Sequence, residues 1–344
     1  MLSNKIDIAT IVALMSLLLT TRASEAATNS SSGIIIVVVS IDVLRSIVSP
    51  IIGEAGEVYS IVSGAVEPHS FTLTLEAVNI ARRSDLIVIT GHMEWEKKLV
   101  NLVAEEKGVS PDLISVNAMN LSWIKILDLN GERNIHGFWL LPENALLIAE
   151  EVKEKISRLR PDLSARLSDN YERFRRNVLN LKAFLSELSA RHGTLNRRVV
   201  IGFYAEHYVA EAMGLKACSV LVDEGGTVRP GVLSSIYKGF KSGEYACLIV
   251  SDVALLMEEA QRTIKMISEE TGCPIAYILS VSSGRLEDYT ALMYYNAGQI
   301  YNALLSERRI ASRDNANIYL LTILVLLLTV IFESVLLIKR RVGL

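Results

Sequence analysis

Three histidines in this sequence lie where an imidazole could bind a metal ion. His69 follows Pro68 in the loop between a β-type run, residues 59–62, and a helical pattern; proline ends such a run because it lacks a backbone N–H. His136 precedes a second predicted helix, and His207 lies near the start of a third. The imidazole nitrogen is a ligand that suits zinc, copper, iron and nickel. A single loop histidine is more often a solvated side chain, so the surrounding pattern has to decide.

The predicted elements around these histidines alternate between strands and helices. An apolar run at residues 85–90 is typical of a strand buried on both faces, and residues 33–40 and 197–203 also predict strands. Between the two halves, residues 163–192 predict one long helix whose apolar stripe is separated by charged residues. We therefore predict an α/β fold with mostly parallel sheets. In such sheets, ligands bind in the loops that follow the carboxyl ends of the strands.

Both ends of the chain carry long apolar segments. Residues 1–27 predict a secretory signal peptide, with Lys5 before the apolar residues and small residues at the cleavage site; a retained N-terminal anchor helix is the alternative. Residues 318–338 are long enough to cross the roughly 30 Å hydrocarbon core as a helix. The basic residues 339–341 place that end in the cytoplasm. We expect an extracytoplasmic body, anchored in the cell membrane by one C-terminal transmembrane helix.

Charge, cysteine usage and motif content argue against several classes of protein. A formal net charge of −3 disfavours a nucleic-acid partner. Cys218, Cys247 and Cys273 have no C-x-x-C spacing, so a cysteine zinc site is not expected. A lipid anchor would need a cysteine directly after the first apolar segment, and no cysteine stands there. One pair could form a disulfide outside the cell, or all three could be free thiols. No nucleophile elbow, H-E-x-x-H motif or phosphate loop occurs, so we do not expect an enzyme.

Two segments, around His69 and His136, carry motifs in an order that is more specific than either alone. Residues 61–71, IVSGAVEPHSF, end in a Pro-His pair before a helix; residues 134–145, NIHGFWLLPENA, open the next helix. Both resemble the ligand motifs of the metal-binding solute-binding proteins of zinc and manganese ABC importers, members of the helical-backbone metal receptor superfamily. The second segment departs from that family by one extra residue and by Leu141, which stands in place of the usual aspartate.

The resemblance covers about residues 34–305 and implies the architecture as well as the function. It implies two α/β lobes, residues 33–160 and 193–310, joined by one long rigid helix at residues 161–192. It further implies a monomeric substrate-binding component that captures a divalent ion, zinc or manganese, in the cleft between the lobes. The partner that receives the ion would be an ABC permease in the membrane.

The resemblance also implies which residues hold the ion, two from each lobe. His69 and His136 match the family motifs and are the expected ligands from the first lobe. In the second lobe, Phe203 stands where the family has its third ligand. His207 lies four residues later, near the same face if the turn is helical, so we expect it to take over that role, with Glu206 as the substitute.

The fourth ligand position departs from the family pattern too. The family's aspartate would fall near Ser282, where no carboxylate stands, so Asp288 is expected instead, ahead of Asp252. The losses at Phe203 and Ser282 leave a second function open, a surface binding protein of the same fold whose metal site is altered or lost. A zinc hydrolase is a third, disfavoured by the missing catalytic motifs. Neutral imidazoles with a carboxylate suit zinc, whereas more oxygen ligands would favour manganese.

Overall fold

Strands alternate with helices in the computed structural model, which describes residues 33–64, 66–284, 286–306 and 321–334. The strands of this part are β1 (Ile35–Ile41), β2 (Gly56–Val62), β3 (Leu86–Ile89), β4 (Ser115–Asn117), β5 (Leu127–Leu129), β6 (Glu132–Asn134), β7 (Arg198–Ile201), β8 (Lys216–Val220), β9 (Leu248–Ser251) and β10 (Ile275–Ile278). Its helices are α1 (Asp42–Ile52), α2 (Leu75–Arg82), α3 (Glu94–Lys107), α4 (Pro111–Ile114), α5 (Pro142–Leu159), α6 (Ser164–His192), α7 (Glu206–Ala212), α8 (Pro230–Ser242), α9 (Glu258–Thr271), α10 (Tyr289–Leu305) and α11 (321–334). The predicted α/β class with mostly parallel sheets is confirmed.

The first sheet has the strand order β2-β1-β3-β4, and its strand pairs are parallel. Its central strand β1 reads IIVVVSI, and Val37, Val38 and Val39 are fully buried, as expected for a parallel strand covered on both faces. The chain turns to β2 on one side of β1 and to β3 on the other. Because the strands are parallel, the loops that follow β2 and β3 leave the same edge of the sheet, the carboxyl edge, where open α/β sheets bind ligands.

The second sheet repeats this order. It runs β10-β9-β7-β8 with parallel pairs, so its first strand, β7, also has the next strand on one side and the later ones on the other. Val199, Val200 and Ile201 in β7 are fully buried. The segments that follow β7, β8, β9 and β10 thus leave one edge of the second sheet. The residues predicted as ligands in the second lobe lie on these segments, with Glu206 and His207 in the first turn of α7 and Asp288 just before α10.

The described residues fall into two compact units that are discontinuous in sequence. The first contains the described residues up to residue 63, residues 68–124 and residues 145–178. The second contains residues 125–144 and the described residues among 64–67 and from residue 179 onward. The long helix predicted at residues 163–192 is present as α6, Ser164–His192, and its residues are shared between the two units. His136 belongs to the second unit, although a division into contiguous lobes would assign it to the first.

A two-stranded antiparallel hairpin leads to His136. Its strands β5 and β6 pair with Leu127 opposite Asn134. The turn between them is Asn130-Gly131, and both residues have positive φ angles, 56° and 88°. This is the turn that a two-residue hairpin favours, because its twist matches that of the strands.

The cysteines are free thiols in the structure. Cys247 and Cys273 are buried and Cys218 is half-buried, and none of the three forms a disulfide. Burial raises the pKa of the Cys247 thiol to about 12. A protonated, buried thiol is unreactive, so Cys247 serves as a small apolar core residue.

The predicted terminal segments are described only in part. The signal peptide predicted at residues 1–27 lies outside the described residues, as do the basic residues 339–341. Of the anchor predicted at residues 318–338, the structure describes residues 321–334, which are helical. Among the residues that the structure describes, no helix has the length and apolarity needed to cross a membrane.

Candidate metal centre

His69 is presented by a short turn that follows β2 in the first unit. The turn, Pro68–Ser70, is a single 3₁₀ turn, and the side chain of His69 is exposed. Trp95 in the first turn of α3 donates a hydrogen bond from Nε1 to the carbonyl of Pro68 at 2.8 Å. The ring of Phe71 packs edge-on against Trp95, with ring centres 4.9 Å apart. The loop that carries His69 is thereby tied to the helix that follows β3.

His92 lies beside His69, and the sequence prediction missed it as a candidate ligand. It is half-buried in the loop after β3, and the two imidazole rings lie at an angle of 60° with centres 5.1 Å apart. The preceding Gly91 has a φ angle of 95°, and a Cβ there would lie 1.8 Å from Oδ1 of Asn117. Only glycine fits this position. The tight turn at Gly91 directs the chain from β3 into the segment that presents His92.

A buried glutamate, Glu96, organises the His92 loop. Its carboxylate accepts hydrogen bonds from the backbone N–H groups of Thr90 and Gly91 at 2.8 Å and of Met93 at 3.3 Å. It also accepts from the hydroxyl of Thr90 at 2.7 Å. The same Thr90 oxygen lies 2.8 Å from Nδ1 of His92. Because the carboxylate can only accept, this network determines the direction of each of these hydrogen bonds.

His136 is buried in the second unit, just after the β5–β6 hairpin. Its backbone N–H donates to Oδ1 of Asn134 at 3.0 Å, and its Nε2 lies 2.9 Å from Oε1 of Glu224 in the loop after β8. The rings of Phe203 and Tyr204 lie 5.7 and 5.6 Å from the imidazole. Phe203, which replaces a family ligand, therefore packs as an apolar neighbour of His136. Glu224 was not predicted, because its contact with His136 joins residues 88 apart in the chain.

Glu206, predicted as a substitute ligand, is fully buried at the start of α7. One carboxylate oxygen accepts from the backbone N–H of Phe203 at 3.0 Å, and the other accepts from that of Ser251 at 2.7 Å. Burial raises the pKa of Glu206 to about 7, although these hydrogen bonds act in the opposite direction. Both oxygens thus connect α7 to the ends of β7 and β9. This arrangement favours a structural role over metal binding.

His207 and the two aspartates are also placed with partners in the second unit. Nδ1 of His207 lies 3.4 Å from Nδ2 of Asn134, and burial lowers the pKa of His207, which keeps it neutral near pH 7. Asp288 caps α10, accepting from the N–H groups of Thr290 at 2.7 Å and Ala291 at 3.1 Å.

Asp252 holds the loop that follows β10. Its Oδ1 accepts from the N–H and hydroxyl of Ser280 at 2.9 and 2.8 Å, and its Oδ2 accepts from the N–H of Ser282 at 2.8 Å. The loop in which the family carries an aspartate is here held by an aspartate from the neighbouring strand.

The chemistry available at these loops is ligation. The imidazoles of His69 and His92, and the imidazole of His136 with its carboxylate neighbour, are donors that suit a borderline divalent ion such as zinc. A carboxylate that accepts the proton of one ring nitrogen orients the imidazole for ligation through the other, an arrangement common around protein-bound metals. His136 and Glu224 have this relation.

Comparisons with known proteins identify relatives that bind metal ions and share the fold. The manganese ABC transporter substrate-binding lipoprotein scaA of Streptococcus gordonii is 23% identical over 287 residues, which cover 76% of this chain and 86% of the relative. The corresponding lipoprotein PsaA of Streptococcus pneumoniae is 22% identical over 277 residues, with the same coverage of 76% and 86%.

Solved structures share the fold. The substrate-binding protein FpvC of Pseudomonas aeruginosa in complex with Mn²⁺ has a TM-score of 0.62 and 18% identity, covering 79% of this chain and 98% of its own. A crystal structure of ZnuA has a TM-score of 0.66 and 16% identity, covering 79% and 100%. The family model for the periplasmic zinc-uptake complex component A, ZnuA, matches residues 37–303. Since that match spans most of the chain, this protein belongs to the family of zinc-uptake complex component A.

Proposed function

We propose that this protein is the extracytoplasmic component of an ABC importer that captures a divalent metal ion and delivers it to the permease. The cargo is zinc or manganese, because the family is that of a zinc-uptake component and the relatives include manganese transporter proteins. The family consists of substrate-binding proteins of transporters, which agrees with the expectation that the chain is not an enzyme.

The observation that carries the proposal is the placement of the histidines in the two family motifs, His69 and His136, and the partners that hold them. His69 follows β2, at the carboxyl edge of the first sheet. Nε2 of His136 lies 2.9 Å from Oε1 of Glu224, and a carboxylate on one ring nitrogen is the arrangement that orients a histidine for ligation through the other. We propose that both are ligands of one ion. The lobe-two ligands predicted from the resemblance, His207, Glu206 and Asp288, stay predictions, and their hydrogen bonds favour structural roles.

A metal titration of single-histidine variants tests this function. His69→Ala and His136→Ala should each weaken zinc affinity at least tenfold, about 1.4 kcal/mol, because each removes one imidazole ligand. His192→Ala is the matched control: it removes an exposed histidine at the end of α6 and should leave the affinity unchanged. Affinities equal to wild type in both motif variants would contradict the proposal.

A second function, a binding protein of the same fold with an altered or lost metal site, is favoured by one observation. Phe203 occupies the place of a family ligand and packs against His136. The same titration separates the two functions. A wild-type protein that binds none of the first-row divalent ions would support the altered site.

We also propose that the body lies outside the cell and that the apolar segment at residues 318–338 anchors it in the membrane. The relatives are lipoproteins by name, whereas the cysteines of this sequence are Cys218, Cys247 and Cys273. Truncation after Ser312 should then release a folded protein into the soluble fraction. A truncated protein that still sediments with membranes after signal cleavage would contradict the C-terminal anchor.

A further inference from the structure

We propose that His92, in the loop after β3, is a further ligand of the metal ion, and that Thr90 and Glu96 hold it in the tautomer that binds through Nε2. This inference rests on the proposed function, because it concerns the same ion. This chain has Phe203 and Ser282 where the family carries ligands. His92 supplies an imidazole that compensates in part for this loss.

The geometry of the two imidazoles in the first unit supports a shared ion. Two imidazoles that bind one tetrahedral zinc through bonds of about 2.0–2.1 Å would have ring centres roughly 5 Å apart. The ring centres of His69 and His92 are 5.1 Å apart. Each of His69, His92 and His136 offers one nitrogen to a metal ion.

The hydrogen bonds behind His92 select its tautomer. The carboxylate of Glu96 is buried and accepts from three backbone N–H groups, so the Thr90 hydroxyl gives its proton to Glu96. The Thr90 oxygen, at 2.8 Å from Nδ1 of His92, must then accept, which places the ring proton on Nδ1. In that tautomer the Nε2 atom carries a lone pair and no proton. A hydrogen bond of this kind to the far nitrogen is how proteins fix the orientation of a ligating histidine.

The two loops are positioned by the same helix. Glu96 and Trp95 are neighbours in the first turn of α3; Glu96 holds the loop of His92, and Trp95 holds the carbonyl of Pro68 beside His69. The spacing of the two imidazoles is thus set by contacts of buried side chains of α3. Such preorganisation lowers the entropic cost of binding an ion.

An additional imidazole has a consequence for the cargo. Zinc accepts three or four nitrogen and sulfur ligands, whereas manganese prefers carboxylate, carbonyl and water oxygens. We therefore infer that His92 shifts the preference of the site towards zinc. Loss of His92 should weaken zinc binding more than manganese binding.

The experiment is a competition titration of zinc and of manganese with the full chain, as wild type and as two pairs of variants. His92→Ala should weaken zinc affinity at least tenfold and lower the zinc-to-manganese affinity ratio, whereas His192→Ala should change neither. Thr90→Val removes the hydroxyl and should weaken zinc affinity about 10-fold or more, the usual effect of losing a partner of a ligand. Thr90→Ser keeps the hydroxyl and should restore the affinity. Thermal melting checks that each variant is folded.

Long-range ¹H–¹⁵N correlation spectra of the imidazole report the tautomer of His92. If Thr90 had only a structural role, its substitution would not change that tautomer. In wild type without metal, His92 should carry its proton on Nδ1, and Thr90→Val should abolish that preference. A folded His92→Ala protein with wild-type zinc affinity would overturn the inference and leave the proposed function intact. A wild-type protein that binds no divalent ion would overturn both.

Discussion

At the scale of single residues, two buried glutamates perform the same task in the two units. Glu96 accepts backbone N–H groups at the end of β3, and Glu206 accepts those of Phe203 and Ser251 at the ends of β7 and β9. Each carboxylate compensates donors that would otherwise be buried without partners, which costs about 1–3 kcal/mol per group. Glu206 stays a predicted ligand, and its hydrogen bonds to these N–H groups favour a structural role.

Asp288 is the predicted ligand whose role can be decided most sharply. As an N-cap, it can be replaced by asparagine, which caps nearly as well, whereas Asp288→Ala should destabilise the protein by about 1 kcal/mol. If capping is its role, zinc affinity is unchanged in both variants, and only the alanine variant loses stability in a denaturant titration. A tenfold loss of zinc affinity in Asp288→Asn, with unchanged stability, would show instead that the carboxylate binds the ion.

At the scale of elements, the parts that local pattern determines were predictable. The apolar runs at residues 33–40 and 85–90 correspond to β1 and β3, and the amphipathic run at residues 163–192 corresponds to α6. The β5–β6 hairpin was missed because its strands are three residues each, too short for a periodic signal, although the Asn130-Gly131 turn pointed to it.

The site was predictable only where a motif marked it. His69 and His136 follow recognisable segments, whereas the role of His92 depends on contacts between the loops after β2 and β3. One local signal was available for His92: Glu96 falls three residues after Met93, the residue before α3, as in a capping box. The position of Glu96 indicates that the loop before α3 is held by hydrogen bonds. It does not indicate that His92 lies next to His69. Glu224, whose contact spans 88 residues, had no local signal.

At the scale of the whole molecule, the chain belongs to a known family, and the ligand set that we propose for it differs from the one that the resemblance implies. The two sheets share one strand order, and in each of them candidate ligands follow the carboxyl ends of parallel strands. The streptococcal relatives are manganese transporter proteins by name. In this chain, Glu206 and Asp288 accept hydrogen bonds from backbone N–H groups, and the ligand set that we propose consists of imidazoles.

Zinc K-edge X-ray absorption of the protein loaded with one equivalent of zinc tests the central claim, an ion held by imidazoles, most directly. The spectrum reports how many imidazoles bind the ion and at what distance. We expect three imidazole ligands at about 2.0–2.1 Å in the wild type, and two after His92→Ala. Fewer than three imidazoles in the wild type, or zinc that is lost on dialysis against buffer without chelator, would contradict this claim.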